Sequence, residues 1–186
     1  LSTDAMTALS ERRMYVNIHS TLYPGGELRG QLVPDADDYY FTNLFGSYEV
    51  PAVITPASGA LQMEVDGDQL VVTGSFQNLS ADLATAIGGG VHLHLGLPGN
   101  TGGVEIALVA TTDGDLTSGE FTATDNTFTL TTEQANLLAK RSMYANIHTT
   151  AYPSGELRGV TVSGEAAAVF RTHLSGSNEV PPVTTA

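Results

Sequence analysis

The sequence predicts an all-β protein, an antiparallel sandwich or barrel with one short helix per repeat. Three observations predict it. Short runs in which apolar and polar residues alternate, the pattern of a strand with one face on a core, recur along most of the chain. Gly, Pro and Asp turn signals separate these runs at short intervals, and little of the chain has a helical period. Finally, RRMYVNIHSTLYPGGELRG at 12–30 returns as RSMYANIHTTAYPSGELRG at 141–159, identical at roughly 14 of 19 positions and offset by about 129. That offset is the length of an ordinary domain, so the repeated unit is a domain and not a solenoid turn.

In chain order, residues 1–11 align with 130–140. In the second of these, Thr131 stands three before Gln134, a capping-box spacing, and Ala135, Leu137, Leu138 and Ala139 follow, which predicts a short helix in each segment. Next, Tyr144, Asn146 and His148 alternate with Met143, Ala145 and Ile147, a strand whose apolar set faces a core. Pro153 and Gly155 then turn the chain into a second strand. Its Glu156 and Arg158 share one face and read as a solvated or cross-strand charge pair.

Residues 33–39, VPDADDY, form an acidic connector that lacks the ligand spacing of an EF-hand. The organisation this implies is the C-terminal part of one repeat at 1–33, a linker at 34–39, a complete domain at 40–164, and at 165–186 an opening strand of the next repeat or an exchanged strand. Within 40–164, a strand is expected to end at Pro51, which cannot donate to a ladder. Residues 60–76 make the clearest hairpin, turning at Asp66-Gly67. A loop at 80–90 ends in three glycines, and strands are expected at 91–95, 104–111 and 119–130. Val169, Phe170 and the run from Leu174 through Glu179, Val180, Pro181 and Val183 match 39–53 at an offset of about 130 and restart the pattern.

Composition excludes several functions. With 20 acidic and 7 basic residues, a net charge of −13, the chain lacks the basic patches that nucleic acid or an anionic membrane requires. No apolar run approaches the ~20 residues of a membrane span, so no membrane insertion is expected. There is no cysteine, hence no disulfide framework. Few Lys and many Thr, Ser and Gly suit an extracellular β-protein, and the absence of a signal peptide at Leu1 reads as a mature or truncated chain. Asn78-Leu79-Ser80 is a glycosylation sequon.

Three separated motifs, YANIHTTAYPSGELRG at 144–159, LSGSNEVPPV at 174–183 and VHLHLGLPGNTGGVEIAL at 91–108, resemble the CHRD domain, the module first described in chordin and found in bacterial secreted proteins. The resemblance covers one whole copy and fragments of two more. It implies an extracellular setting and a β-sandwich or barrel of immunoglobulin-like or superoxide-dismutase-like type, and it carries no generally established catalytic function. Ala52 departs from the second proline of the EVPP motif, which the later copy keeps at Pro182.

Of five histidines, His92 and His94 are one residue apart and project to one face of their strand, opposite Val91, Leu93 and Leu95. The same parity places His148 opposite Met143, Ala145 and Ile147. If the two strands pair, His92, His94 and His148 converge on the outer face of one sheet, a donor set suited to zinc or copper. His-x-His followed by glycines also resembles, locally, the metal-binding strand of copper-zinc superoxide dismutase, but the fourth ligand and the disulfide of that enzyme are missing, and dismutase activity is not expected. The competing interpretation is a structural cluster bonded to neighbouring Tyr and Asn. His19 repeats His148 without a His-x-His partner, and His173 replaces Asn43.

No nucleophile elbow, P-loop or dinucleotide fingerprint is present, and the paired acids at Asp66/Asp68 and Asp113/Asp115 flank turn glycines. The leading expectation is a non-enzymatic extracellular building block that assembles head to tail, with copies of itself or with adjacent repeats, into a fibre, surface layer or matrix by strand exchange through Val169, Phe170, Leu174, Glu179, Val180, Pro181 and Val183. The alternative is a copper- or zinc-binding, redox-type β-domain using His92, His94 and His148. A growth-factor-binding module is implied only by the occurrence of the domain in chordin.

Overall fold

A computed structural model describes residues 2–112 and 114–164. The assembly residues expected between Val169 and Val183, and His173, lie outside the described residues. In order, the elements are α1 (Thr3–Ser10), β1 (Tyr15–Ile18), β2 (Leu28–Gln31), β3 (Asp38–Phe45), β4 (Ser58–Asp66), β5 (Gln69–Gln77), β6 (Val91–Leu95), β7 (Val104–Ala107), β8 (Gly119–Phe121), β9 (Thr127–Thr129), α2 (Thr132–Ala139), β10 (Met143–Ile147), β11 (Leu157–Val160) and β12 (Val162–Ser163). The protein is all-β, as the alternation predicts, with every strand pair antiparallel.

One sheet, in the order β7-β6-β10-β11-β3-β4-β5-β8, curls into a half-barrel, with β12 beside β3 and β9 beside β5. Its concave face is the core, built from Leu44, Leu61, Met63, Leu70, Val72, Leu93, Ala145, Ile147 and Leu157. These are the inward members of the period-two runs, and alternation is what lets one strand bury them while exposing the residues between. The helix α2 closes one side with Leu138, capped by Thr131 and Gln134 in the reciprocal box that their spacing predicts.

The hairpin 60–76 is β4 and β5, paired from Ser58–Gln77 to Asp66–Gln69 around Gly67. Three expected strands differ. The strand expected at 104–111 is β7 and ends at Ala107, with Thr111 joined to Glu120 by an isolated bridge. The strand expected to run to Pro51 ends at Phe45, followed by a 3-10 turn at Gly46–Tyr48 and a loop with a cis Val50–Pro51 bond. The strand expected at 119–130 divides into β8 and β9, because buried Asn126 turns inward and bonds both the N–H and the C=O of Val109 at 2.8 and 2.9 Å.

The segment before β3 forms its own two-stranded sheet, with β1 and β2 paired as β10 and β11 are. It is fastened to the outer face of the large sheet by Arg12, whose guanidinium meets the Glu64 carboxylate with both Nε and Nη2, the closest contact being 2.8 Å. A bidentate pair of this kind lets Glu64 be buried in spite of its charge.

Candidate metal centre

Strands β6 and β10 lie side by side with His94 opposite Tyr144 and His92 opposite Asn146. His148 follows the last residue of β10, and its N–H bonds the carbonyl of Gly90 at 2.8 Å, which holds it in register one step beyond His92 on the same face. A bulge between Leu93 and His94, where β6 meets β7, alters the spacing there. The three rings form a near-equilateral triangle, with centroids 5.4 Å (His92–His94), 5.2 Å (His92–His148) and 5.7 Å (His94–His148) apart. One nitrogen of each lies within 4.8 Å of those of the other two.

The histidine face, expected as the outer face of the sheet, is buried. His92, His94 and His148 are 3%, 8% and 6% exposed, because loops on the convex side fold over them. Each loop contributes one backbone carbonyl to one ring. Gly88 O contacts His92 Nε2 at 3.0 Å, Gly102 O contacts His94 Nδ1 at 3.0 Å, and Pro153 O contacts His148 Nδ1 at 2.9 Å. A carbonyl only accepts, so the nitrogen facing it carries the hydrogen and the other nitrogen of the neutral ring keeps a lone pair. Those other nitrogens, His92 Nδ1, His94 Nε2 and His148 Nε2, are buried and have no hydrogen-bond partner. Gly88 has to be glycine here: its φ is +51° and a Cβ would sit 2.8 Å from His92 Nε2.

Burial pushes His94 and His148 below the ordinary histidine value; the carbonyl bonds of Gly102 and Pro153 oppose the shift, and the neighbouring imidazoles add to it. Both are therefore held neutral, the state in which a ring can ligate.

Around the triangle lies a second tier that sequence reasoning missed. The Tyr144 ring stacks on His94 at 5.1 Å and 11°, and the Arg158 guanidinium carbon sits 3.5 Å from the Tyr144 centroid. Arg158, 1% exposed, is neither solvated nor paired with Glu156; its Nη2 donates to the carbonyls of Leu97 and Asn100. Glu156 is also fully buried and accepts from Thr55, Thr149 and the N–H of Ser80. The expected surface charge pair is thus two separate buried anchors. Each holds a loop against the sheet through its hydrogen bonds, although Arg158 Nη1 is buried without a partner. Buried Glu49, whose Oε1 has no partner, lines a cleft of about 280 Å³ with Pro51, Tyr152 and Pro153, and burial pushes its carboxyl up to about 7.

His19 makes to Pro24 O, at 2.9 Å, the bond that His148 makes to Pro153 O, but it is exposed and belongs to no group of potential metal ligands among the described residues. Asn78 is exposed in the loop after β5.

A family model for the CHRD domain matches residues 1–32 and 40–160. The chain belongs to the CHRD domain family. No curated protein and no solved structure matches it. CHRD domains are generally found in secreted or extracellular proteins. The matched region contains all three triangle histidines and the loop carbonyls that orient them. No helix among the described residues is long and apolar enough to cross a membrane.

Proposed function

We propose that this CHRD protein is an extracellular module that holds one transition-metal ion, copper or zinc, on His92, His94 and His148. The observation that carries the reading is a set of three buried rings, one nitrogen of each within 4.8 Å of those of the other two, in which every ring has one unpartnered nitrogen while a loop carbonyl contacts the opposite one. An unmet buried polar atom costs about 1–3 kcal/mol, and three converging in one place are relieved together by a single cation. The fit is geometric as well. Donors at roughly 2 Å from one ion sit about 3.3–3.5 Å apart, so nitrogens within 4.8 Å have only to draw in by small side-chain rotations. Carbonyl partners on the far nitrogens are the usual outer shell of ligating histidines.

Metal content of the purified protein, together with calorimetric titration of the metal-free form with copper and with zinc, tests the reading. One equivalent should bind to the native chain and none to H92A/H94A. Binding of neither metal, or undiminished binding in the double variant, overturns it.

A second reading, self-association, is supported by the β1–β2 hairpin. Ile18 and Leu28 are 54% and 61% exposed, whereas Ile147 and Leu157, at the matching positions of β10 and β11, are fully buried. In the large sheet β11 is flanked by β3. The occupant that fits β2 is therefore the sequence matching β3 and its following loop, namely Val169 to Val183 of a second copy, with Phe170, Leu174, Glu179, Val180 and Pro181 between. Sedimentation that shows concentration-dependent oligomers, lost in L28E and in V180E, is the expected result; a monomer at every concentration removes this reading.

A further inference from the structure

Resting on the assignment of the three histidines to a metal, the geometry points to monovalent copper as the ion the site selects: Cu(I), held by His92, His94 and His148 alone, in preference to Zn(II) and Cu(II). The first argument is charge. The group of potential ligands found here consists of three histidines, and no carboxylate or thiolate joins them among the described residues. An ion bound by three neutral rings keeps its full charge in a buried site. The cost of burying an ion rises with the square of that charge, so a dication is penalised roughly four times as heavily as a monocation.

The surroundings offer little against a double charge. The nearest charged group in the ring stack is itself cationic, since Arg158 lies against Tyr144 and Tyr144 against His94, and the buried Glu49 carboxyl acts on Arg158 and is not among the potential ligands. Arg158 makes no ion pair among the described residues, and its contacts are backbone carbonyls and the tyrosine ring.

The second argument is coordination number. Zn(II) takes four ligands in a tetrahedron, and where the protein supplies three, a water or substrate fills the fourth place. Cu(II) prefers a tetragonal set of N and O donors. Either needs room and solvent beside the rings. The histidines are almost wholly covered, and neither of the two prominent clefts, one beside Glu49 and Tyr152 and one beside Arg12 and Tyr15, is lined by any of them. A filled-shell monocation satisfied by three donors in a plane needs neither. The site thus also favours the reduced over the oxidised state of copper. Cu(II) offered with ascorbate, which supplies the electron, is expected to be taken up as Cu(I).

The experiment uses the whole chain in three arms: Cu(I) under anaerobic conditions against a coloured Cu(I) chelator, Zn(II) against a coloured Zn(II) chelator, and Cu(II) without reductant. X-ray absorption of the loaded protein gives the number of ligands. Expected are one Cu(I) per chain with three nitrogen donors, affinity at least about 100-fold above that for Zn(II), and loss of binding in H92A/H94A and in H148A. Zn(II) or Cu(II) bound as tightly at the same histidines, or a copper centre with a fourth ligand, overturns the Cu(I) assignment and leaves the metal site standing. No binding in any arm overturns both. Circular dichroism of each variant separates lost ligands from lost fold, and the wild-type affinity ratio decides the question without any variant.

Discussion

His148 donates from Nδ1 to the carbonyl of Pro153, five residues along the same hairpin, at 2.9 Å, and His19 does the same to Pro24. The bond is local, written into the turn that the two copies share, so it forms whether the histidine is buried or exposed. What is not local is the convergence of His148 with His92 and His94, which requires β6 to lie beside β10. Orientation of the ring and assembly of the triangle therefore have separate causes, one in the turn and one in the sheet.

The tautomers follow directly. His92 contacts its carbonyl through Nε2, whereas His94 and His148 contact theirs through Nδ1. Long-range nitrogen–proton correlation spectra of the metal-free protein, recorded in mild alkali, should show His92 in the Nε2–H form and the other two in the Nδ1–H form. A His92 signal in the same form as the other two would remove the carbonyl contact on which the lone-pair argument depends.

Acid should destabilise the metal-free protein through two of these rings. His94 and His148 are held below the ordinary value near 6.5 by burial, so the folded state resists protons that the unfolded chain accepts. Their contribution is complete above that value and is lost as pH falls below it toward the depressed folded values. Urea midpoints measured from neutral pH downward should decline, and the decline should be shallower in H94Q/H148Q. Equal slopes in the two proteins would locate the acid sensitivity elsewhere.

Much of this was legible beforehand. The parity of His92, His94 and His148, the hairpin at 60–76 and the box of Thr131 and Gln134 are all short-range patterns with fixed periods, and such patterns survive into the fold. The burial of the histidine face was not legible, because alternation says which residues share a face and nothing about what covers it. Gly88, Gly102 and Pro153 act through backbone carbonyls, which every residue possesses. Glu156 and Arg158 read as surface charges since charged residues are rarely buried; their partners, Ser80 and Asn100, are 76 and 58 residues away.

Glu49 should act on stability in the opposite direction to the histidines. Its carboxyl, pushed by burial from 4.5 to about 7, favours the protonated form in the folded state, with a backbone bond from Val50 and the charge of Arg158 only partly opposing. Its contribution is present below 4.5 and is lost as pH rises through 7. The isosteric E49Q variant keeps the neutral shape and cannot ionise. Its melting temperature should match that of wild type in mild acid and exceed it at about pH 8. A variant that is less stable than wild type in mild alkali would mean that the ionised carboxylate is needed to balance Arg158.

Leu157 and Leu28 occupy the same place in the repeated stretch, and their environments differ as far as two environments can: the first is wholly buried and the second is 61% exposed. Truncating Leu157 removes methyl groups from the core it shares with Leu44, Leu61 and Ile147, and leaves a cavity that β3 and β10, which flank β11, cannot close. L157A should cost about 2–5 kcal/mol in a urea titration. Truncating Leu28 removes surface that water already wets, so L28A in the monomer should change stability by no more than about 0.5 kcal/mol. Measuring both at low and at high protein concentration extracts more. If a second copy covers β2, the L28A cost should grow with concentration, since the covered leucine then loses packing as well. A cost for L28A that is large at every dilution would instead place Leu28 in a core within one chain, and the exposed hairpin would no longer support association.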